Sequence, residues 1–114
     1  MRTVGVTNPL TRSAPLSLPV QDVLTACASR YPEVERVILF GSRARGDARD
    51  RSDFDLAVDA PDITHGRWSK FAIELEEQIP SLCRIDLVRL SKNTPPVLQA
   101  QIRQQGIVIY DHAA

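Results

Sequence analysis

Apolar positions along the chain follow two rhythms in turn, one of helical and one of strand period. Val20, Val23, Leu24, Cys27, Ala28 and Tyr31 recur at i, i+3, i+4, i+7, i+8 and i+11, which puts them on one face of a helix of about three turns. Pro19 stands at its start and Pro32 stops it. Residues 34–40, VERVILF, are short, β-branched and apolar, and they run into Gly41-Ser42; they read as a strand buried on both faces. Residues 52–59, SDFDLAVD, alternate before turning apolar and read as a second strand. Trp68, Phe71, Ala72, Leu75 and Ile79 return to helical spacing up to Pro80. A third strand is expected over 83–90, where Cys83, Ile85 and Leu87, with Val88, alternate against Arg84, Asp86 and Arg89. Residues 95–106 give a third long helix with prolines in its first turn and Gly106 as its stop, and 107–110, IVIY, a short last strand. The fold class is therefore α/β (α+β), a small mixed sheet of about four strands flanked by helices.

Composition narrows the class. A chain of 114 residues is expected to be one domain with a single core. Residues 1–18, with two prolines and several Ser and Thr, read as an extended or partly disordered arm, leaving 19–114 as the domain. Lys+Arg and Asp+Glu are both 14, so the formal net charge is zero and duplex nucleic acid is not favoured as a partner. Cys27 and Cys83 read as reduced thiols rather than a disulfide framework, which suits a cytoplasmic protein. No apolar run approaches the ~20 residues that span a bilayer, and the first residues lack the apolar core of a signal peptide.

The chemistry concentrates in one stretch, LFGSRARGDARDRSDFDLAV, residues 39–58. Asp53 and Asp55, at i and i+2 of a strand, share a face roughly 6.5–7 Å apart along the backbone. Two carboxylates so close repel each other unless a cation lies between them. Oxygen-only ligands favour Mg²⁺ or Mn²⁺. Asp86 lies mid-strand between Ile85 and Leu87, where a carboxylate is costly without a partner. If its strand neighbours that of Asp53 and Asp55, three carboxylates share one sheet face and can hold one or two ions. Gly41 allows close backbone approach to a phosphate, Ser42 is a natural cap for the helical turn that follows, and Arg43 and Arg45 can add charge-assisted bonds. A phosphate cradle beside metal-ligating carboxylates is what a metal–triphosphate requires. Each part alone has an ordinary explanation: a common Gly-Ser turn, a solvated Asp-x-Asp at a strand end, weak ion pairs in an exposed loop. The combination at this spacing carries the functional reading.

The stretch GSRARGDARDRSDFDLAV resembles the nucleotidyltransferase signature of the DNA polymerase β-like superfamily, Gly-Ser-x-x-Arg-Gly, a short loop, then Ser-Asp-x-Asp-Leu. Gly41, Ser42, Arg45, Gly46, Ser52, Asp53, Asp55 and Leu56 fit it, and RIDLVRL looks like the strand bearing the third acid, Asp86. The small size and the ending VLQAQIRQQGIVIYD are similar to minimal nucleotidyltransferase (MNT) domains, so the resemblance covers residues 20–111. It implies the polymerase β-like nucleotidyltransferase fold. It also implies an antitoxin that uses Mg²⁺, two ions in the usual arrangement, to transfer AMP from ATP to a tyrosine of a partner HEPN ribonuclease toxin. On that resemblance Asp53, Asp55 and Asp86 are catalytic and hold the metal. Gly41, Ser42, Arg45 and Gly46 bind nucleotide, and Arg43 falls at a variable position. Two other readings stay open: a nucleotide-binding antitoxin that acts by complex formation alone, and an adenylyltransferase for a small molecule or RNA. The preference for ATP rests on the resemblance, since no base-reading element is visible in the sequence.

Overall fold

The computed structural model describes residues 18–46, 53–79 and 84–113. The arm expected over 1–18, all but its last residue, lies outside them. So do Ser52 with the charged loop 47–52, and Pro80 and Cys83 with the segment 80–83. Eight elements follow in chain order: α1 Leu18–Ser29, β1 Arg36–Phe40, α2 Ser42–Arg45, β2 Phe54–Asp59, α3 His65–Gln78, β3 Ile85–Arg89, α4 Pro96–Gln105 and β4 Ile107–Asp111. This is the order that the periodicities predict, with the ends shifted by a few residues.

The four strands form one sheet in the order β3-β2-β1-β4. β1 runs antiparallel to both β2 and β4, while β2 and β3 are parallel. A parallel pair needs a long crossover, and α3 supplies it. Thr64 starts that helix by accepting a hydrogen bond from the Arg67 amide. Between Val37 and Ile38 the β1–β4 register shifts by a residue. At this bulge the Ile109 carbonyl accepts from Gln21 Nε2 of α1 at 2.8 Å, so the irregularity leaves it paired.

Strand alternation divides the core in two. Val37 and Leu39 of β1 and Phe54, Leu56 and Val58 of β2 face α1 and α3, where Leu24, Cys27, Phe71 and Leu75 are fully buried. Tyr31 packs edge-on to Phe71 with ring centroids 5.3 Å apart, and its hydroxyl donates to Glu74 Oε1 at 2.7 Å. On the opposite face Phe40, Ala57 and Ile102 form a smaller cluster under α4, with Ile38, Val88 and Leu98 against it. β1 is thus covered on both sides, as its unbroken apolar run predicts, although Ile38 is only half-buried. Arg89 departs from its expected polar face. It lies on the side of Ile85 and Leu87, where its guanidinium donates to the Ile63 carbonyl at 2.6 Å. Among the described residues no helix is long and apolar enough to cross a membrane.

Candidate active site

The residues singled out in the sequence gather at one end of the α4-side sheet face. β1 and β2 are antiparallel with Phe40 opposite Asp55, so the turn that leaves β1 begins beside the first carboxylate of the β2 strand. Gly41 makes this turn with φ 79° and ψ −158°, a conformation essentially reserved for glycine. A Cβ at Gly41 would lie 2.2 Å from Asp55 Oδ2. Gly41 is needed twice over, for its backbone and for the space its missing side chain leaves to Asp55.

α2 is a single turn closed by the Ala44 and Arg45 amides donating to the Gly41 carbonyl at 3.1 and 3.0 Å. It ends at Gly46 in the left-handed region, φ 87°. Ser42 is not the cap that the sequence reading expects. Gly41 occupies the cap position and Ser42 is the first helical residue, with no side-chain cap bond. Its hydroxyl is therefore not spent on closing the helix. Arg43 stacks over the Phe54 ring at 4.1 Å, which fastens α2 to the start of β2. Arg45 Nη1 donates to Gln105 Oε1 at 3.3 Å, and the Gly41 amide donates to the same oxygen at 3.3 Å. Sequence reasoning missed Gln105, the last residue of α4. Only its place before the helix-stopping Gly106 was visible, and its partners lie 60 and 64 positions away.

The parallel β2–β3 register sets Asp86 directly beside Asp55, so both side chains leave the same face of neighbouring strands about 4.8 Å apart. Asp53, just before β2, lies two positions from Asp55 and 4.0 Å from the Arg84 guanidinium, an exposed pair that contributes little. The strand adjacency on which the three-acid reading depends is thereby present. The expected burial of Asp86 is not: β3 is an edge strand and Asp86 is exposed. Asp55 is half-buried. Burial first, then the charges of Asp86 and Asp53, push its carboxyl above the ordinary aspartate range, while Arg45 pulls the other way.

Among the described residues no three His, Cys, Asp or Glu side chains converge as they stand into a metal-enclosing group. The donor set is nonetheless three hard oxygen donors on one sheet end, with Asp55 held at an electrostatic disadvantage that a divalent cation would relieve. The chemistry of the donors fits Mg²⁺.

The chain is similar to known proteins in sequence and in fold. The pattern of the family described as Polymerase beta, Nucleotidyltransferase matches residues 23–114. Protein adenylyltransferase MntA of Thermococcus cleftensis is 34% identical over 90 residues, covering 75% of this chain and 88% of its own. A crystal structure of a toxin–antitoxin with AMP-PNP superposes with a TM-score of 0.63 at 27% identity, covering 80% of this chain and 73% of the other. The MntA–HepT toxin–antitoxin structure gives a TM-score of 0.58 at 25% identity over 82% of this chain and 71% of the other. With the four-stranded sheet, the Gly41 turn and the paired β2 and β3 acids already in view, these matches establish that the chain belongs to the polymerase beta nucleotidyltransferase family.

Proposed function

We propose that this nucleotidyltransferase is the antitoxin of a toxin–antitoxin pair and transfers AMP from ATP to a tyrosine hydroxyl of its HEPN ribonuclease partner. The carrying observation is the contact between the Gly41 turn and Asp55, with Asp86 in register beside it. A phosphate-binding turn and a carboxylate cluster meet there within one side chain's width. The relatives supply the reaction class. One is named a protein adenylyltransferase, and the similar solved structures are toxin–antitoxin complexes, one of them with AMP-PNP.

In this reading Ser42 and the turn around it take the β- and γ-phosphates, and Asp53, Asp55 and Asp86 hold Mg²⁺. When bound, the ion neutralises triphosphate charge and favours ionisation of the acceptor hydroxyl. Asp86, exposed on the edge strand, is open to an incoming acceptor and takes the proton of its hydroxyl. The tyrosine oxygen forms a bond to the α-phosphorus, the bond from the α-phosphorus to the bridging oxygen breaks, and pyrophosphate leaves. Arg45, near Asp55 and tied to Gln105, keeps the turn in place.

Incubation with a HEPN ribonuclease encoded beside it, or with host-cell lysate, Mg²⁺ and ATP labelled at the α- or the γ-phosphate tests the proposal. Protein-bound label from α-labelled ATP alone, mapped to a tyrosine, is the expected result. A partner silenced with no label transferred, equally well by wild type and by the Asp53→Asn, Asp55→Asn double variant, would replace catalysis with neutralisation by binding.

A further inference from the structure

One side chain of α4 meets the turn that carries Gly41 and Ser42 at two points. Gln105 Oε1 accepts from the Gly41 amide and from Arg45 Nη1 at 3.3 Å each. One bond reaches the entry of the turn and the other its last helical residue. Both partners are donors, which fixes the amide with its oxygen toward the turn.

Two features deliver Gln105 to this place. Ile102, nearly one helical turn earlier, is buried with Phe40 and Ala57 and seats α4 on β1 and β2. Gly106 then passes so close to β1 that a Cβ would lie 2.5 Å from Ile38 Cγ2 and 2.4 Å from the Ile102 carbonyl oxygen. The end of α4 is therefore fixed beside the end of β1, where the turn begins.

We propose that Gln105 is a positioning residue for the nucleotide, a strut that ties both ends of the Gly41–Arg45 turn to α4 and keeps it in shape before phosphate arrives. The inference rests on the reading that this turn takes the triphosphate. It also shifts the donor set. The Gly41 amide is already engaged, so phosphate recognition falls to Ser42, whose amide and hydroxyl have no other partner among the described residues. A neutral amide suits the position: a hydrocarbon leaves the Gly41 amide without its acceptor, whereas a carboxylate adds a further anion near Asp55 and the triphosphate.

The test uses the full chain with Gln105→Met, which keeps length and removes the acceptor, and Gln105→Glu, which restores one. Amide exchange at Gly41 is followed by NMR in nucleotide-free protein, beside the Kd of a non-hydrolysable ATP analogue and the kcat and KM of transfer. In Gln105→Met, Gly41 exchange accelerates and the analogue Kd and the KM for ATP rise, each by roughly three- to tenfold for two lost bonds. Turnover at saturating ATP stays at the wild-type value, and Gln105→Glu regains Gly41 protection. Unchanged Gly41 exchange in Gln105→Met, an unchanged KM, or a kcat that falls as far as kcat/KM would each overturn the strut. A wild type that transfers no AMP strikes the function proposed above, while Gly41 exchange and the analogue Kd still decide the role of Gln105.

Discussion

Replacing Gly41 with alanine perturbs the backbone and the carboxylate cluster together, and its cost follows from the geometry. At φ 79° and ψ −158° the backbone is in a region that other residues enter at about 1–3 kcal/mol. The new methyl would stand 2.2 Å from Asp55 Oδ2, 3.1 Å from its Cγ and 3.3 Å from its Cβ, so the whole side chain must swing away. Forcing Asp55 off its rotamer adds ~0.5–1.5 kcal/mol. The combined loss is about 2–4 kcal/mol, a fall in melting temperature of roughly 8–16 °C for a chain of this size. Transfer falls further than stability explains, by about 100-fold or more at a temperature where the variant is folded, because Asp55 is the group displaced. Gly46→Ala is the internal comparison. Gly46 also has positive φ, 87°, but a Cβ there meets nothing within 4 Å, so its cost is the backbone term alone, ~1–2 kcal/mol. Thermal and urea denaturation by circular dichroism give the stabilities, and AMP transfer is measured beside them. If Gly41→Ala is no less stable than Gly46→Ala and transfers AMP within tenfold of wild type, the close packing of turn on carboxylate is not what shapes the site.

Asp55→Asn removes a half-buried charge that faces two others. The Asp55 carboxyl titrates higher folded than unfolded, so its ionisation costs stability, and wild type loses that stability as pH rises through the raised value. The metal-free variant should melt a few degrees above wild type at neutral pH, gain nothing from Mg²⁺ where wild type gains, and transfer no AMP; a lower melting point would refute the repulsion. Glu33 behaves oppositely. Its hydrogen bonds from Arg67, 2.8 and 3.0 Å, hold its carboxyl down to about 2, so its contribution is complete above the ordinary glutamate range and is lost as pH falls from about 4.5 towards 2. Glu33→Gln should flatten that part of the stability curve in acid urea melts and leave neutral transfer unchanged. Gly66, near the start of α3 with open space around it, should gain up to about 1 kcal/mol as alanine, read as a shift of the urea midpoint at constant slope.

How much of this was legible in the sequence depends on how far each cause reaches along the chain. Helix and strand periods are set by near neighbours, so all eight elements, even the one-turn α2, could be read off with errors only at their ends. The Gly-Ser turn and the Asp-x-Asp spacing are likewise local, although β2 begins at Phe54 and leaves Asp53 just before the strand. Strand adjacency is not local. That Asp86 lies beside Asp55 could only be posed as a condition, which the parallel β2–β3 pairing meets. The same sheet order makes β3 an edge and leaves Asp86 exposed, whereas position within its own strand suggested a buried charge. Gln105 was illegible because its partners lie 60 and 64 positions away along the chain. The cap was misassigned for a smaller reason: Ser42 is the better capping residue, but only glycine tolerates the conformation that the contact with Asp55 imposes one position earlier.

The sheet also separates what holds the chain together from what the chain does. Its α1–α3 face carries the larger buried cluster, the Tyr31–Phe71 contact and the polar ties Tyr31–Glu74, Arg30–Glu74 and Arg67–Glu33. Its other face carries a smaller cluster, a strained glycine and carboxylates that repel one another. A site built from unfavourable contacts persists only where its surroundings over-determine it. Here the support is local as well as global: Arg43 on Phe54 fixes the turn to β2, and Gln105 fixes it to α4. On the proposed function, a cation among the carboxylates and phosphate on the turn would each favour the folded state by mass action and offset the remaining cost. Relief of the site's strain should therefore stabilise the empty protein and abolish its function in the same step, and Asp55→Asn is the substitution in which both effects can be read from one sample.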